Sequence, residues 1–430
     1  MKNYIAAIDL GTTKIVALIG EKTEFERYRI LASFEMPSTG IVRGEVENLE
    51  DVTKLIQKAV EELREESRLE FSEVYVGIAG QHIRCLCESV KELRDNENET
   101  IKQSEIDALQ QKMYSVRMEP GEEILHVIPQ SYNVDDKMDI SRPVGMLGKE
   151  LTGNYHIVIG LTKAIDKIKK CLSNKKVSLE LSRLILEPIA SAAAVLNEDD
   201  KELGVALVDI GGGTTDLVIY HDHIIRHTAV IPFGGNIVTE DIRKGCGILR
   251  RTAELIKVQH GSCLGNLSSE NICFVLNNKK EITLKTLSQI IDARMEELLG
   301  AVMFEIERSG YADKLQAGIV FTGGGSMFKN FKDFAELKTG LDARIGKPVY
   351  LSGDSGSQFA QPFYSTVVGL IIEGIKYESL KKQQERPVLE LVPVIPEEPN
   401  KENEKKPKDK EGPNIFDRFF GGIFNPDDNV

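Results

Sequence analysis

Eight residues, Asp209-Ile210-Gly211-Gly212-Gly213-Thr214-Thr215-Asp216, constrain this chain more than any other stretch. An apolar run at 205–208 leads into them and another at 217–220 leads out. The pattern predicts strand, tight turn, strand, with the glycines not preceding a helix. Glycine has no Cβ, so consecutive glycines let backbone N–H groups converge on an anion. Thr214 and Thr215 add hydroxyl donors. Asp209 and Asp216 only accept hydrogen bonds when ionised, which suits a metal-bound water better than a phosphate. Three glycines alone read as a hairpin turn. Carboxylates on both sides favour a cradle for a polyphosphate with its Mg²⁺.

The chain opens on the same logic. An apolar run at 5–8 precedes Asp9-Leu10-Gly11-Thr12-Thr13-Lys14, and a second run at 15–19 resumes the strand. Lys14 adds a point positive charge suited to a phosphate. A repeated unit far apart in one chain implies two similar halves facing each other over one ligand. A third glycine turn, Thr322-Gly323-Gly324-Gly325-Ser326, follows a strand at 318–321, and a helix is expected from Met327. Alone it is a common strand-to-helix turn. Beside the other two it reads as a platform for the adenosine of ATP.

At 430 residues the chain exceeds a single ordinary core, so two or more domains are expected. Its net charge of −13 argues against a nucleic-acid surface. The cysteines, at 85, 87, 171, 246, 263 and 273, lack metal-site spacing, so buried reduced thiols are expected. The N-terminus enters a strand without a signal-peptide pattern, and no apolar run is long enough to span a bilayer.

Strands are expected at 5–10, 14–21 and 28–37, a helix at 49–69 and a strand at 73–80. Residues 83–153 differ in texture: an acidic stretch, a helix from Ser104 with a Ser-x-x-Asp start, and a strand at 124–129. They read as an inserted subdomain between 1–82 and 154–203, which together make the first half. Glu187-Pro188 opens a helix of small residues to 196, suited to close packing against a neighbour. The second half is expected over 204–380, with a smaller subdomain at 237–310 and a long helix at 284–307. Residues 381–412 are Pro, Glu and Lys with almost no aromatic residue, the composition of a disordered linker. At 413–426 the composition changes again: on a helix, Ile415, Phe416, Phe419, Phe420, Ile423 and Phe424 share one broad face. Docking on its own domain and binding a partner groove are two readings of such a face; insertion into a membrane surface is the sharper one.

With these residues laid out, the chain resembles the actin-like ATPases, an α/β, ribonuclease H-like duplicated fold with two halves around a nucleotide cleft. The Asp9 and Asp209 turns match the two phosphate motifs, Glu187-Pro188 the first connecting helix, 322–326 the adenosine motif and 364–370 the second connecting helix. Within that superfamily the chain is similar to the FtsA family of bacterial cell-division proteins. The stretches 40–45 (GIVRGE), 124–132 (ILHVIPQSY) and 139–148, with Pro143-Val144-Gly145-Met146, carry that similarity, and the insertion sits where the family has its 1C subdomain. The resemblance implies ATP and Mg²⁺ between the halves. It also implies self-association into filaments, attachment to the cytoplasmic face of the inner membrane at the division site, and partnership with the tubulin-like FtsZ and other division proteins. The implied site comprises Asp9, Gly11, Thr12, Thr13, Lys14, Asp209, Gly211, Gly212, Gly213, Thr214, Thr215, Asp216, Gly323, Gly324, Gly325 and Met327. Glu254 and Lys257 join it from a helix similar to the family's nucleoside-contacting one, and Asp9 and Asp209 would hold Mg²⁺ through water. For Glu187 two roles stand: orienting a water for weak ATP hydrolysis, or capping its helix. A PilM-like pilus-assembly adaptor and a sugar kinase are the rival readings on the same architecture.

Overall fold

The computed structural model describes residues 4–24, 27–267, 269–276, 280–353 and 355–384. Two five-stranded sheets carry the duplication. In the first, three antiparallel strands, Tyr4–Leu10, Lys14–Lys22 and Tyr28–Pro37, lie beside two parallel ones, Glu73–Ile78 and then Glu180–Leu186. In the second, Val205–Ile210, Thr215–His221 and Ile224–Ile231 lie beside the parallel strands Ile319–Thr322 and Ala343–Ile345. The strand order is the same in both: third, second, first, fourth, fifth. The inner strands are apolar on both faces because both faces are covered, and Val205–Ile210 is buried at every position.

Each sheet packs one face against its own helices, Leu49–Ser67 and Thr162–Leu172 in the first half and Leu284–Arg308 among others in the second. The opposite faces meet a shared core. Ala190, Ala193 and Val195 of the helix Glu187–Val195 pack there with Val367, Val368 and Ile371 of the helix Ser365–Gln384, against Val16 and Leu18 from one sheet and Leu207 and Val218 from the other. The small residues expected at 189–196 serve that packing. A Cβ on Gly369 would run into the Ala190 carbonyl, so the two connecting helices cross backbone to backbone.

The insertion has a core of its own. A sheet ordered Ile83–Leu93, Glu150–Leu161, Glu122–Val134, Lys137–Ile140 packs on the helix Gln103–Met113 through Leu109, Met113, Tyr155 and Ile157. Its helix starts one residue before the expected Ser104: the Lys102 N–H donates to Glu105 Oε2 (2.7 Å), so Glu105 and not Asp107 closes the N-terminus. The strand expected at 124–129 runs longer, over Glu122–Val134. A short strand, Lys280–Thr283, pairs with Ile272–Leu276 and has no clear alternation to reveal it.

Three further expectations need correction. Met327 does not start an α-helix: it ends a 3₁₀ turn, Gly324–Met327, and the helix begins at Phe331. The helix Ser365–Gln384 carries through Lys381, so residues 381–384, expected in the linker, are helical. The thiols are not uniformly buried: Cys171, Cys246 and Cys263 are, but Cys87 is exposed and Cys85 and Cys273 are half-buried. Cys85 and Cys87 lie on an edge strand of the insertion, which explains their access to solvent. The remainder of the linker and the expected helix at 413–426, with Ile415, Phe416, Phe419, Phe420, Ile423 and Phe424, lie outside the described residues. Among the described residues no helix is long and apolar enough to cross a membrane.

Candidate nucleotide site

A cavity of about 480 Å³ opens between the two sheets at their hairpin turns. Asp9, Gly11, Thr12, Thr13 and Lys14 line it from the first half; Asp209, Gly211, Gly212, Gly213, Thr214 and Asp216 line it from the second. The register explains the pairing of acids. Asp209 stands directly across from Asp216 on adjacent strands, so both carboxylates leave the same face of the sheet. By the same alternation Thr215 points the other way: it is fully buried and its hydroxyl donates to the Phe233 carbonyl (2.9 Å). Thr215 is therefore the one phosphate-turn residue of the expected set that the fold keeps out of the cavity.

The two turns touch. A Cβ on Gly213 would stand 2.9 Å from Thr12 Cβ, and one on Gly212 3.2 Å from Thr13 Cβ. Thr12 also accepts from the Gly44 N–H (3.1 Å) through its hydroxyl, tying the expected 40–45 loop to the first turn. Gly323, Gly324, Gly325 and Met327 line the cavity too, with Phe328 beside them, facing Glu254, Lys257 and Val258 of the helix Arg250–His260. Gly323 has φ +80° and sits against Asp209 and the Ile210 backbone, a place that a side chain cannot share. Lys257 Nζ bonds the Gly235 carbonyl (3.0 Å), Thr239 Oγ1 (2.9 Å) and the Glu254 carboxylate (2.8 Å).

Four carboxylates converge here. Asp9 is pushed up to about 7 by burial and by the charge of Asp209, with Lys14 opposing. Burial also raises Asp209, against bonds from Ser191 Oγ (2.6 Å) and Thr366 Oγ1 (3.1 Å) that hold it down. Asp216 and Glu187 are raised well above the carboxylate range by burial and then by the neighbouring acids. Glu187 opens its helix, yet that helix has no side-chain cap; the Glu187 side chain instead lies against Gly77 and in the cavity wall. The capping role is thus not the one the fold gives it. Such a cluster requires protons or an external cation to be stable.

Asp216 Oδ1 is buried without a partner, while Oδ2 accepts from the Thr214 hydroxyl (3.1 Å). An orphaned acceptor facing three other acids fits a hydrated divalent cation. Among the described residues no group of three or more His, Cys, Asp or Glu is placed to hold a metal ion directly.

Sequence reasoning missed Ser191, Thr366, Glu35 and Phe363. Ser191 had a signal, as the one polar side chain in a run of alanines. The others reach the site from distant parts of the chain.

Comparison with known proteins decides the family. The profile described as "Cell division protein FtsA" matches residues 206–369, and "SHS2 domain inserted in FTSA" matches 80–159. The cell division protein FtsA of Neisseria meningitidis serogroup B is 34% identical over 393 residues, covering 89% of this chain and 93% of that one. The chain belongs to the FtsA family of cell-division proteins. Its insertion is the family's SHS2 domain, a few residues wider at each end than the expected 83–153. Among solved structures, a PilM–PilN type IV pilus biogenesis complex superposes with a TM-score of 0.61 at 14% identity, covering 86% of this chain and 98% of that one. MreB5 of Spiroplasma citri bound to AMPPNP gives 0.51 at 15% identity, covering 90% and 99%. These two share the actin-like fold; the FtsA-family match decides function against the pilus-adaptor and sugar-kinase readings.

Proposed function

We propose that the cleft binds ATP with Mg²⁺ and that the chain is an ATP-switched adaptor of the division machinery. The observation that carries the nucleotide reading is the pair of abutting glycine turns over four converging acids, two of them buried and one with an orphaned oxygen. A polyphosphate offers oxygens to the turn N–H groups, and its Mg²⁺ supplies the charge the acids lack. Asp9 and Asp209 hold that ion through water, with Asp216 beside them. The glycines at 323–325 and Glu254, Lys257 and Met327 flank the adenosine. The AMPPNP bound to MreB5 supports a nucleotide in a cleft of this fold. Glu187, in the cavity wall, would be placed to orient a water for a hydrolysis that is slow at most. Calorimetric titration with ATP, with and without Mg²⁺, tests the site; equal affinity in the two conditions refutes the role given to the acids.

The adaptor reading rests on family membership. The insertion mediates self-association into filaments on the cytoplasmic face of the inner membrane. The tail of FtsZ docks on the subdomain at 237–310, and other division proteins follow. The face Ile415, Phe416, Phe419, Phe420, Ile423 and Phe424 anchors the chain to lipid. By composition, the ~30 residues of the expected linker would span roughly 30 Å on flexible-chain scaling. Binding to an FtsZ C-terminal peptide is the test, and its absence removes the Z-ring role.

A further inference from the structure

The Lys14 ammonium is the positive charge that acts on Asp9, and it is already engaged. Its Nζ lies 3.2 Å from Glu35 Oε1 and stands over the rings of Phe363 (4.1 Å) and Tyr364 (4.5 Å). The Tyr364 hydroxyl donates to the other oxygen of the same carboxylate (2.7 Å). Strand pairing places Glu35 opposite Val16, one step along the same face from Lys14, so the contact is built into the sheet. Lys14, Glu35 and Phe363 all line the cavity.

The aromatic pair belongs to a short segment, 362–366, that reaches every glycine turn. The Pro362 carbonyl accepts from the Gly323 N–H (3.2 Å) and the Thr322 hydroxyl (3.1 Å). Ser365 Oγ lies 2.7 Å from Thr322 Oγ1, and Thr366 donates to Asp209. Tyr364 closes the circuit at the first turn. Immediately after it starts the helix Ser365–Gln384, the second of the two that join the halves.

We infer that Glu35 is an internal competitor for Lys14: the carboxylate and the polyphosphate share one cation, and Tyr364 sets the terms of that competition by partly neutralising Glu35. This rests on the nucleotide reading above and deepens it, because it names the residue that restrains phosphate affinity. When phosphate oxygens draw on the Lys14 charge, the Glu35–Lys14 attraction weakens, and with it the grip of Lys14 on the 362–366 segment. Occupancy of the cleft is thereby felt at the start of the second connecting helix.

The inference gives opposite signs for two neighbouring substitutions. Glu35→Gln keeps the shape and one acceptor oxygen, turns the other position into an N–H donor that the Tyr364 hydroxyl can accept from, and removes the charge, so Lys14 turns wholly to the ligand. Its Mg-ATP affinity should rise about two- to fivefold, the range set by a half-exposed ion pair. Tyr364→Phe keeps the ring under Lys14 but removes the donor, so Glu35 holds Lys14 harder and Mg-ATP affinity should fall about twofold. Adenosine, without phosphate, should bind the wild type and both variants alike. Calorimetry with Mg-ATP and adenosine on the three full-length proteins reads all of this. Weaker Mg-ATP binding in both variants means a packing role alone and overturns the inference, as does an unchanged Glu35→Gln beside a wild type that binds. A wild type that does not bind Mg-ATP at all instead overturns the nucleotide reading, and this inference with it.

Discussion

Gly213→Ala is the sharpest test of the contact between the halves. Gly213 does not have a positive φ, so alanine fits its backbone and the effect is steric alone. The new Cβ would stand 2.9 Å from both Thr12 Cβ and Cγ2. Ordinary carbon contacts are 3.5–4.0 Å, so the two turns must part by about 0.6–1.1 Å. Rotating Thr12 about χ1 moves its Cγ2 and Oγ1 but leaves Cβ where it is, and the clash persists. Overpacking of this kind costs about 1–3 kcal/mol, which corresponds to a loss of about 5- to 150-fold in Mg-ATP affinity if the ligand needs both turns at their present spacing. Gly212→Ala is the internal control. Its nearest contact is a methyl of Thr13, whose exposed side chain can rotate, and Thr13 Cβ is 3.2 Å away, so the loss should be smaller. A valine at the same position, Gly212→Val, would meet Thr13 of the other half as well as the phosphate space. Calorimetry on the single variants and on Thr12→Gly with Gly213→Ala completes a double-mutant cycle. The double variant should recover most of what Gly213→Ala loses beyond Thr12→Gly itself. Strictly additive losses would refute the turn-to-turn contact.

Asp216→Asn removes one of four converging acids, so the ligand-free protein should melt higher by differential scanning fluorimetry while the stabilisation by Mg-ATP shrinks. His126 accepts from the Leu186 N–H (3.0 Å) and burial holds its pKa down at about 3, against 6.5 unfolded. The unfolded chain therefore binds the proton first, and stability present above pH 6.5 falls by up to about 1.4 kcal/mol per unit as pH drops toward 3; His126→Gln should flatten that slope in urea melts between pH 7 and 5. Deleting residues 83–153 should leave a body that binds nucleotide but forms no filaments on lipid by electron microscopy. Phe419→Glu with Phe420→Glu should release the chain from liposomes in co-sedimentation while ATP binding survives, each phenylalanine being worth roughly 1.5–3 kcal/mol when buried; loss of wild-type binding in high salt alone would shift the attachment to the lysines between 401 and 410.

The legible parts of this molecule are those written in contiguous residues. Each glycine turn is a local signal, and the three turns line one cavity with every residue expected from them except Thr215; Glu254 and Lys257, expected only from the resemblance, line it too. Thr215 misled because its neighbours on both sides do belong there; a strand's period of two sends it to the opposite face. Glu187 was legible through Pro188, which marks the start of a helix, but its role was not. Whether an acid at a helix start caps its own N–H groups or faces a cavity depends on Gly77, 110 residues earlier in the chain, where the absent side chain leaves room for it. Cys87 escaped because a thiol's burial depends on whether its strand lies at a sheet's edge, and that is decided by pairing with Glu150–Leu161.

What the sequence hid is the way the halves answer each other. Tyr364 and Glu35 are separated by 329 positions, and Thr366 and Asp209 by 157. No window of sequence holds both members of either pair. On the inference drawn above, these bonds, rather than the turns, would decide what happens when charge enters the cleft. The turns set where an anion sits. On the proposed reading, the excess of acid behind them would make that anion's cation part of the binding, and the engagement of Lys14 by Glu35 would keep the site from holding phosphate with all the charge it has. A cleft built only for tight binding would leave Lys14 free. One that must release its ligand, and report the release through a connecting helix, gains from a resident carboxylate that takes the lysine back.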